Sequence, residues 1–200
     1  YVARSLSEAA EAGAAAVYLD IDTPGGRVDA AERIADAVRA SPVPVYAWVN
    51  PRAYSAGALI ALSAQGIYVR PGAVLGAATP VDGGGTKAPE QSVSAMRAEF
   101  RALAEQRGLD PRIAEAMVDE RVGVPGLVEP GRLLTLSTQE AIRVGYAKGE
   151  IADEPALLAA IGFPGAQIVT AEVNWAEQVA IDHVEALGYP GPDVDAELIM

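Results

Sequence analysis

The chain has 200 residues, half of them apolar and about a fifth charged, a composition that argues against a disordered segment and suits one folded domain. Its net charge of −12 argues against nucleic acid as a partner, because phosphate binding needs a basic surface. The absence of cysteine excludes disulfides, thiolate catalysis and cysteine-bound zinc, and the single histidine, His183, leaves no histidine cluster for a metal.

Apolar strands and helices with apolar residues at helical spacing alternate along most of the chain. Helices are predicted at 2–12, 28–40, 55–64, 88–107, 111–120 and 137–144. Strands are predicted at 17–21, 45–49, 67–69, 74–77, 128–131, 133–136, 147–151 and 167–173. Because strand and helix alternate with short connections through residue 151, we expect an α/β fold with a mostly parallel sheet flanked by helices.

The last part of the chain differs in composition from the rest. Residues 177–200 are acidic and contain a Pro-Gly-Pro turn, so we predict a domain at 1–176 and an acidic C-terminal appendage at 177–200. No apolar run reaches the length of about 18 residues that marks a membrane-spanning helix. The chain opens at Tyr1 without a signal pattern. We therefore expect an excised domain, with any membrane anchor in the flanking segments.

A glycine turn follows the first predicted strand, at residues 22–26 (DTPGG). Proline sets such a turn, and two glycines allow positive φ and a close approach of the backbone to a ligand. Its free N–H groups are suited to binding an oxyanion. Taken alone, the motif also describes an ordinary connection between a strand and a helix.

A second turn, at residues 52–57 (RAYSAG), follows the second predicted strand and places Ser55 at the start of a helix. The N–H groups and the dipole at a helix start favour negative charge, which suits a nucleophilic serine and its tetrahedral intermediate. Taken alone, Ser55 could equally be a helix N-cap. The preceding residue, Tyr54, is a candidate for lining a substrate pocket or for the core.

The two turns are more informative together than separately, because they are predicted to lie side by side. Gly26 and Ser55 are 29 residues apart, and a helix lies between the two strands that precede them. A right-handed βαβ unit brings the carboxyl ends of both strands to the same edge of the sheet. The N–H groups of Gly26 and Ala56 are then able to face one oxygen, as the oxyanion hole of acyl transfer requires.

Five motifs in this order extend the pattern along the chain: residues 22–26 (DTPGG), 55–57 (SAG), 73–81 (AVLGAATPV), 103–108 (LAEQRG) and 134–145 (LTLSTQEAIRVG). As an ordered set they resemble the membrane-bound ClpP-class serine proteases of the NfeD type, relatives of signal peptide peptidase A. The resemblance covers roughly residues 5–176 and implies a ClpP/crotonase-like fold.

The resemblance also implies a function. Such proteases use a Ser-Lys dyad without histidine, cofactor or metal, and they cleave hydrophobic segments of membrane-associated proteins, some of them of the stomatin type. Their protease domain lies on the extracytoplasmic side, and proteins of this fold form homo-oligomers. Carried over, Ser55 is the nucleophile, Gly26 and Ala56 supply the oxyanion hole, and Gly25 shapes the turn beside the substrate.

The base of the dyad is less clearly marked, because the chain has only two lysines, Lys87 and Lys148. Lys87 lies between a glycine-rich loop and the long helix that follows it, the region where the base is expected. The family pattern, however, places the lysine at Gln91, four residues beyond Lys87 and about 6 Å along a helix. Two interpretations follow: Lys87 is the base, or Gln91 marks an inactive site. Lys148 is expected on a solvated turn.

Three functions are compatible with these motifs. The first is a serine endopeptidase with Ser55 and Lys87 as its dyad. The second is a catalytically inactive protein of the same fold that binds or scaffolds a membrane protein. The third is a crotonase-like acyl-CoA enzyme, against which stand the few basic residues available for the phosphates of coenzyme A and the Ser-Ala-Gly motif itself.

Overall fold

Strands and helices alternate in the computed structural model, which describes residues 1–82, 84–174, 176–178 and 194–200. The helices are α1 (Val2–Glu11), α2 (Val28–Ala40), α3 (Ala56–Ser63), α4 (Glu90–Gln106), α5 (Pro111–Val118), α6 (Thr138–Arg143) and α7 (Glu154–Ala160). The strands are β1 (Ala16–Thr23), β2 (Val45–Tyr54), β3 (Gly66–Val69), β4 (Val74–Gly76), β5 (Thr135–Ser137), β6 (Ile168–Thr170) and β7 (Val194–Ile199).

The strands form one sheet in the order β5-β4-β2-β1-β7-β6, and β3 also pairs with β2. The central pairs β1–β2, β2–β3 and β2–β4 are parallel. The pairs β4–β5, β1–β7 and β6–β7 are antiparallel. The predicted α/β fold with flanking helices is therefore confirmed, and its sheet is mixed, with the parallel pairs in the middle.

Alternating side chains of β1 cover the two faces of the sheet. Val17, Leu19 and Ile21 belong to the main core, which the buried faces of α1 to α5 complete. Tyr18 points to the other face, where it packs edge-on against Trp48 with ring centroids 6.4 Å apart and joins the buried leucines of α7. Since both faces are covered, β1 is buried along nearly its whole length, as expected of a central strand.

The pairing of β1 with β2 is interrupted just before the two turns. Ile21 pairs with Val49, but Thr23 pairs with Ala53, so β2 advances four positions while β1 advances two. The extra residues of this bulge lengthen β2 at its carboxyl end. As a result, the 22–26 turn and the 52–57 turn begin side by side.

The structure differs from the predicted elements in four places. Residues 194–199, part of the predicted appendage, form β7 antiparallel to β1, with Val194, Ala196 and Leu198 buried. Their alternation with acidic residues made the segment look solvated rather than half-buried. The predicted strands at 128–131 and 147–151 contribute only isolated bridges, and α7 was not predicted. The boundary after residue 176 stays a prediction, and His183 lies outside the described residues.

Candidate active site

Ser55 stands in a strained corner between β2 and α3. Its φ of 52° and ψ of −114° are rare for a residue with a side chain, at a cost of about 1–3 kcal/mol. Its N–H donates to the Gly76 carbonyl at 3.0 Å, and its carbonyl accepts from Ala58 at 3.0 Å. Its hydroxyl does not cap α3. At this N-cap position only the backbone carbonyl of Ser55 bonds to α3, so the Oγ atom makes no capping hydrogen bond and is available to react.

The glycine turn after β1 lies directly against this corner. Gly25 has φ +129°, and a Cβ placed on it would stand 2.9 Å from Ser55 Cβ and 3.4 Å from Ser55 Oγ. Both the conformation and the space therefore require glycine. A Cβ placed on Gly26 would meet Ala56 Cβ at 3.9 Å, an ordinary contact. The two turns predicted to cooperate are in contact.

A narrow, mainly apolar cleft opens between these turns and α4. It is lined by Gly26, Val28, Ala31, Ser55, Ala56, Leu59, Ala78, Pro80 and Met96. Within the described ranges, the backbone N–H groups of Gly26 and Ala56 have no hydrogen-bond partner. The structure thus brings together Ser55, Gly26 and Ala56 at one cleft, with Gly25 behind the serine. Tyr54 is half-buried and does not line it.

Further backbone strain lies next to Ser55, at the end of β4. Ala77 has φ 49° and, with Ser55, makes up the non-glycine residues of positive φ in the described part of the chain. Gly76 has φ +138°, and a Cβ there would stand 2.6 Å from the Leu134 carbonyl oxygen. Such conformations persist only where the surrounding structure imposes them, and they concentrate at functional sites.

Lys87, the predicted base, lies on a hairpin beyond the cleft. The hairpin is closed by the bridge between Val81 and Lys87, and the Asp82 carboxylate accepts the N–H groups of Gly84 and Thr86 at 2.9 Å each. Lys87 Nζ donates to Glu120 Oε1 at 2.8 Å, and the two side chains are 41% and 51% exposed. Lys87 is therefore held in a surface ion pair and not by Ser55.

Glu120 is fixed in place by its two neighbours in the chain. The buried Asp119 carboxylate accepts from Arg97 at 2.5 Å and from Arg121 at 2.7 Å. Arg121 also pairs with Glu90, at the start of α4, at 2.6 Å. Hydrogen bonds from Arg121, with a further contribution from Arg97, hold the pKa of the Asp119 carboxyl far below its usual range. The segment that carries Glu120 is thereby fastened to α4.

The other residues considered for the base lie elsewhere. Gln91 is the second residue of α4 and its side chain is exposed. Lys148 has an exposed side chain whose carbon atoms pack against Gly66, the first residue of β3. Gly66 pairs with Tyr46 near the start of β2, whereas Ser55 follows its end. Lys148 therefore lies towards the opposite edge of the sheet from Ser55.

Two contacts at the strand ends were not predicted from the sequence. Asp22 forms a bidentate ion pair with Arg52 at 2.7 and 2.9 Å, which ties the end of β1 to that of β2. Thr23, for which no role was predicted, is buried and bonded to the backbone of Gly25. The available signal was a threonine two residues before a glycine, the spacing of a turn closed by a hydroxyl.

The described ranges contain neither a candidate membrane span nor a candidate metal site. No helix there is long and apolar enough to cross a bilayer. No group of three or more histidine, aspartate or glutamate side chains there has the arrangement of metal ligands.

Comparison with known families and proteins finds that this chain is similar to one domain family and to two curated membrane proteins. Residues 1–171 match the model of the NfeD1b N-terminal domain. The chain is 42% identical over 181 residues to the membrane protein NfeD1b of Bacillus subtilis, covering 90% of this chain and 41% of the relative. It is 31% identical over 150 residues to a membrane-bound protease of Pyrococcus horikoshii, covering 71% and 31%. The chain thus spans less than half the length of these two relatives.

Three solved structures are similar to this chain. A serine-to-alanine mutant of the membrane-bound, stomatin-specific protease 1510-N matches with a TM-score of 0.68 at 29% identity, covering 79% of this chain and 74% of that one. Its lysine-to-alanine mutant in complex with a substrate peptide matches with a TM-score of 0.76 at 24% identity, covering 92% and 90%. ClpP1 from Listeria monocytogenes shares the fold, with a TM-score of 0.60 at 20% identity, covering 78% and 85%.

Proposed function

Because its residues 1–171 match that family, the chain belongs to the NfeD1b N-terminal domains, and we propose that it is a serine peptidase domain with Ser55 as nucleophile. The observation that carries the proposal is the corner at Ser55: a strained serine, with its hydroxyl unused for capping, at a cleft bordered by two unpaired N–H groups. The protease names and the mutated serine of 1510-N support it.

In the proposed reaction, Ser55 Oγ attacks the carbonyl carbon of a peptide bond and its proton passes to a base. The N–H groups of Gly26 and Ala56 donate to the oxyanion that forms, a stabilisation for which each donor is worth about 10²–10³ in rate. The proton then moves to the leaving amine as the C–N bond breaks. Water hydrolyses the resulting acyl-enzyme and restores the serine.

Lys87 is the base that we assign to this reaction. A lysine accepts a proton only as the neutral amine, and a carboxylate partner favours the ammonium form. Lys87 must therefore leave Glu120 and move to the drier surroundings of Ser55. Its position beside three consecutive glycines, at 83–85, suits such a movement. The lysine mutated in 1510-N supports a serine-lysine pair in the relative.

The cleft also bears on the substrate. Apart from the two turns, the side chains that line it are aliphatic or methionine, which suits an apolar peptide segment. We extend the proposal accordingly to hydrophobic segments of membrane-associated proteins, with a stomatin-type protein as the candidate that the name of 1510-N suggests. Association with a membrane through segments outside this chain, a location on the extracytoplasmic side and homo-oligomers complete the proposal.

Two observations favour a second candidate, an inactive binding domain of the same fold. Lys87 is paired with Glu120, and Gln91 occupies the position where the family pattern puts lysine. In this alternative the cleft retains its apolar peptide but Ser55 has no base. The two candidates share their substrate chemistry and differ only in turnover.

A fluorophosphonate probe, which loses fluoride when a reactive serine attacks its phosphorus, separates the candidates. We expect labelling of the wild type at Ser55, none in Ser55→Ala, and strong loss in Lys87→Ala with an unchanged melting temperature. An unlabelled wild type that becomes labelled on Gln91→Lys would instead establish the inactive domain. Labelling that survives in Lys87→Ala would reject Lys87 as the base while keeping Ser55 as the nucleophile.

A further inference from the structure

Thr23, the last residue of β1, touches both sides of the proposed oxyanion hole. Its side chain is 3% exposed. Its hydroxyl accepts the N–H of Gly25 at 3.1 Å and donates to the Gly25 carbonyl at 3.2 Å, and both bonds are buried. One side chain thus occupies both polar backbone groups of the glycine that packs against Ser55.

The methyl group of Thr23 faces the other side of the hole. A Cβ placed on Gly57, the second residue of α3, would stand 2.5 Å from Thr23 Cγ2. The methyl therefore lies directly against Gly57, the residue that follows Ala56 at the start of α3. The bulge in β2 pairs Thr23 with Ala53, four residues beyond Val49, and this pairing brings the threonine to this place.

We propose that Thr23 is a positioning residue that sets the separation of the two oxyanion donors. Its hydroxyl holds Gly25, so that the next N–H, that of Gly26, stays unpaired at the cleft. Its methyl fixes the distance to the start of α3, and hence to the N–H of Ala56. This inference rests on the proposed serine peptidase and adds to it the group that holds its donors in register.

Geometry explains why such a group is needed. Oxyanion donors act at about 2.7–3.1 Å from the developing charge, and a misplacement of about 1 Å costs about 100-fold in rate. Two consecutive glycines confer wide backbone freedom on the turn. Pro24 restricts the backbone of the turn, and within the described part of the chain the Thr23 hydroxyl bonds Gly25 to the end of β1.

The first test compares Thr23→Ser with Thr23→Ala, two variants that differ by the hydroxyl alone. With a fluorophosphonate probe, we expect the maximal labelling rate of Thr23→Ala to fall about 100-fold, the scale of a 1 Å misplacement. The concentration for half-maximal rate should stay unchanged, because the apolar cleft is intact. Thr23→Ser, which also lacks the methyl, should regain the part of the rate that the hydroxyl contributes and stay below the wild type by the part that the methyl contributes. An equal loss in both variants would mean that Thr23 only fills space, and would overturn the proposal.

A second measurement does not depend on activity. Amide hydrogen exchange followed by NMR should be slow at Gly25 in the wild type and in Thr23→Ser, and fast in Thr23→Ala. Unchanged protection in Thr23→Ala would overturn the role of the hydroxyl whatever the labelling shows. If neither the wild type nor the Gln91→Lys variant takes label, the serine peptidase would be rejected. Amide exchange at Gly25 would still decide whether Thr23 holds the turn.

Discussion

The two halves of the proposed dyad are built in opposite ways. Ser55 stands between the buried ends of β1, β2 and β4, its backbone bonded on both sides and its conformation imposed by its surroundings. Lys87 stands on an exposed hairpin and is bonded to Glu120 across a surface where exposed ion pairs contribute about 0–1 kcal/mol. The proposed nucleophile is preorganised by the core, whereas the proposed base is held by a contact that is easily exchanged.

This difference indicates where the activity of the domain would be controlled. Rebuilding the corner at Ser55 means disturbing the core, whereas releasing Lys87 means breaking one exposed contact. A serine with its donors in place but without its base reacts slowly, which suits a protease whose action must wait for a substrate. Four substitutions test the contrast, in order of decreasing expected effect.

Gly25→Val should have the largest effect, because it disturbs the packing around Ser55. A side chain at Gly25 would stand 2.9 Å from Ser55 Cβ in a backbone conformation with φ +129°. We expect fluorophosphonate labelling to fall by about 10³ or more, the scale of a lost oxyanion hole. Gly26→Ala is the matched control, since it keeps its N–H and meets no atom closer than 3.9 Å. Equal labelling of both variants would contradict the close packing of the two turns.

Lys87→Ala comes second, because it removes the base and leaves the corner intact. General-base catalysis contributes about 10²–10⁴ in rate, and we expect labelling to fall by about 10². The melting temperature should barely move, since an exposed pair is lost. Lys87→Arg controls for charge: it keeps a cation opposite Glu120 but cannot serve as a base, and it should be as slow as Lys87→Ala. An active Lys87→Arg variant would disprove the assignment.

Asp119→Asn should destabilise the segment that carries Glu120. Losing charge-assisted hydrogen bonds to a buried group costs about 2 kcal/mol, which urea unfolding at pH 7 would measure. The pKa of Asp119 is lowered in the folded state. Its stabilising contribution is thus fully present above the unfolded value of about 4 and is lost as the pH falls below it. The stability difference between wild type and variant should shrink on acidification; a constant difference would contradict the Arg97 and Arg121 pairing.

Glu120→Gln should have the smallest effect, and in the opposite direction. If the pair with Lys87 holds the base away from Ser55, removing it should raise labelling up to about fivefold, the equivalent of about 1 kcal/mol. Glu129→Gln is the control, an exposed carboxylate in the same loop that does not hold Lys87. Higher ionic strength should give a similar gain in the wild type. Slower labelling of Glu120→Gln would instead mean that Glu120 assists the base.

The same contrast explains what the sequence could predict. The placement of Ser55 and of the glycine turn at the ends of adjacent strands, and the bounds of α2, were predictable because their signals are local: residue types at turn positions and a helical repeat bounded as observed at Val28–Ala40. The contacts of Thr23 were not predictable, because they depend on the bulge between β1 and β2. The partner of Lys87 lies 33 residues away and leaves no local pattern. β7 was missed because its buried residues alternate with acidic ones in a segment of acidic composition.

The positive φ of Ser55 has a consequence for the history of the chain. Glycine adopts this conformation without strain, so Ser55→Gly is expected to stabilise the fold while it removes the nucleophile. In a domain whose only function is binding, selection for stability alone would favour a change from serine to glycine at this position. A serine at φ 52° is the opposite of what selection for stability alone would favour, and selection for a hydroxyl would account for it.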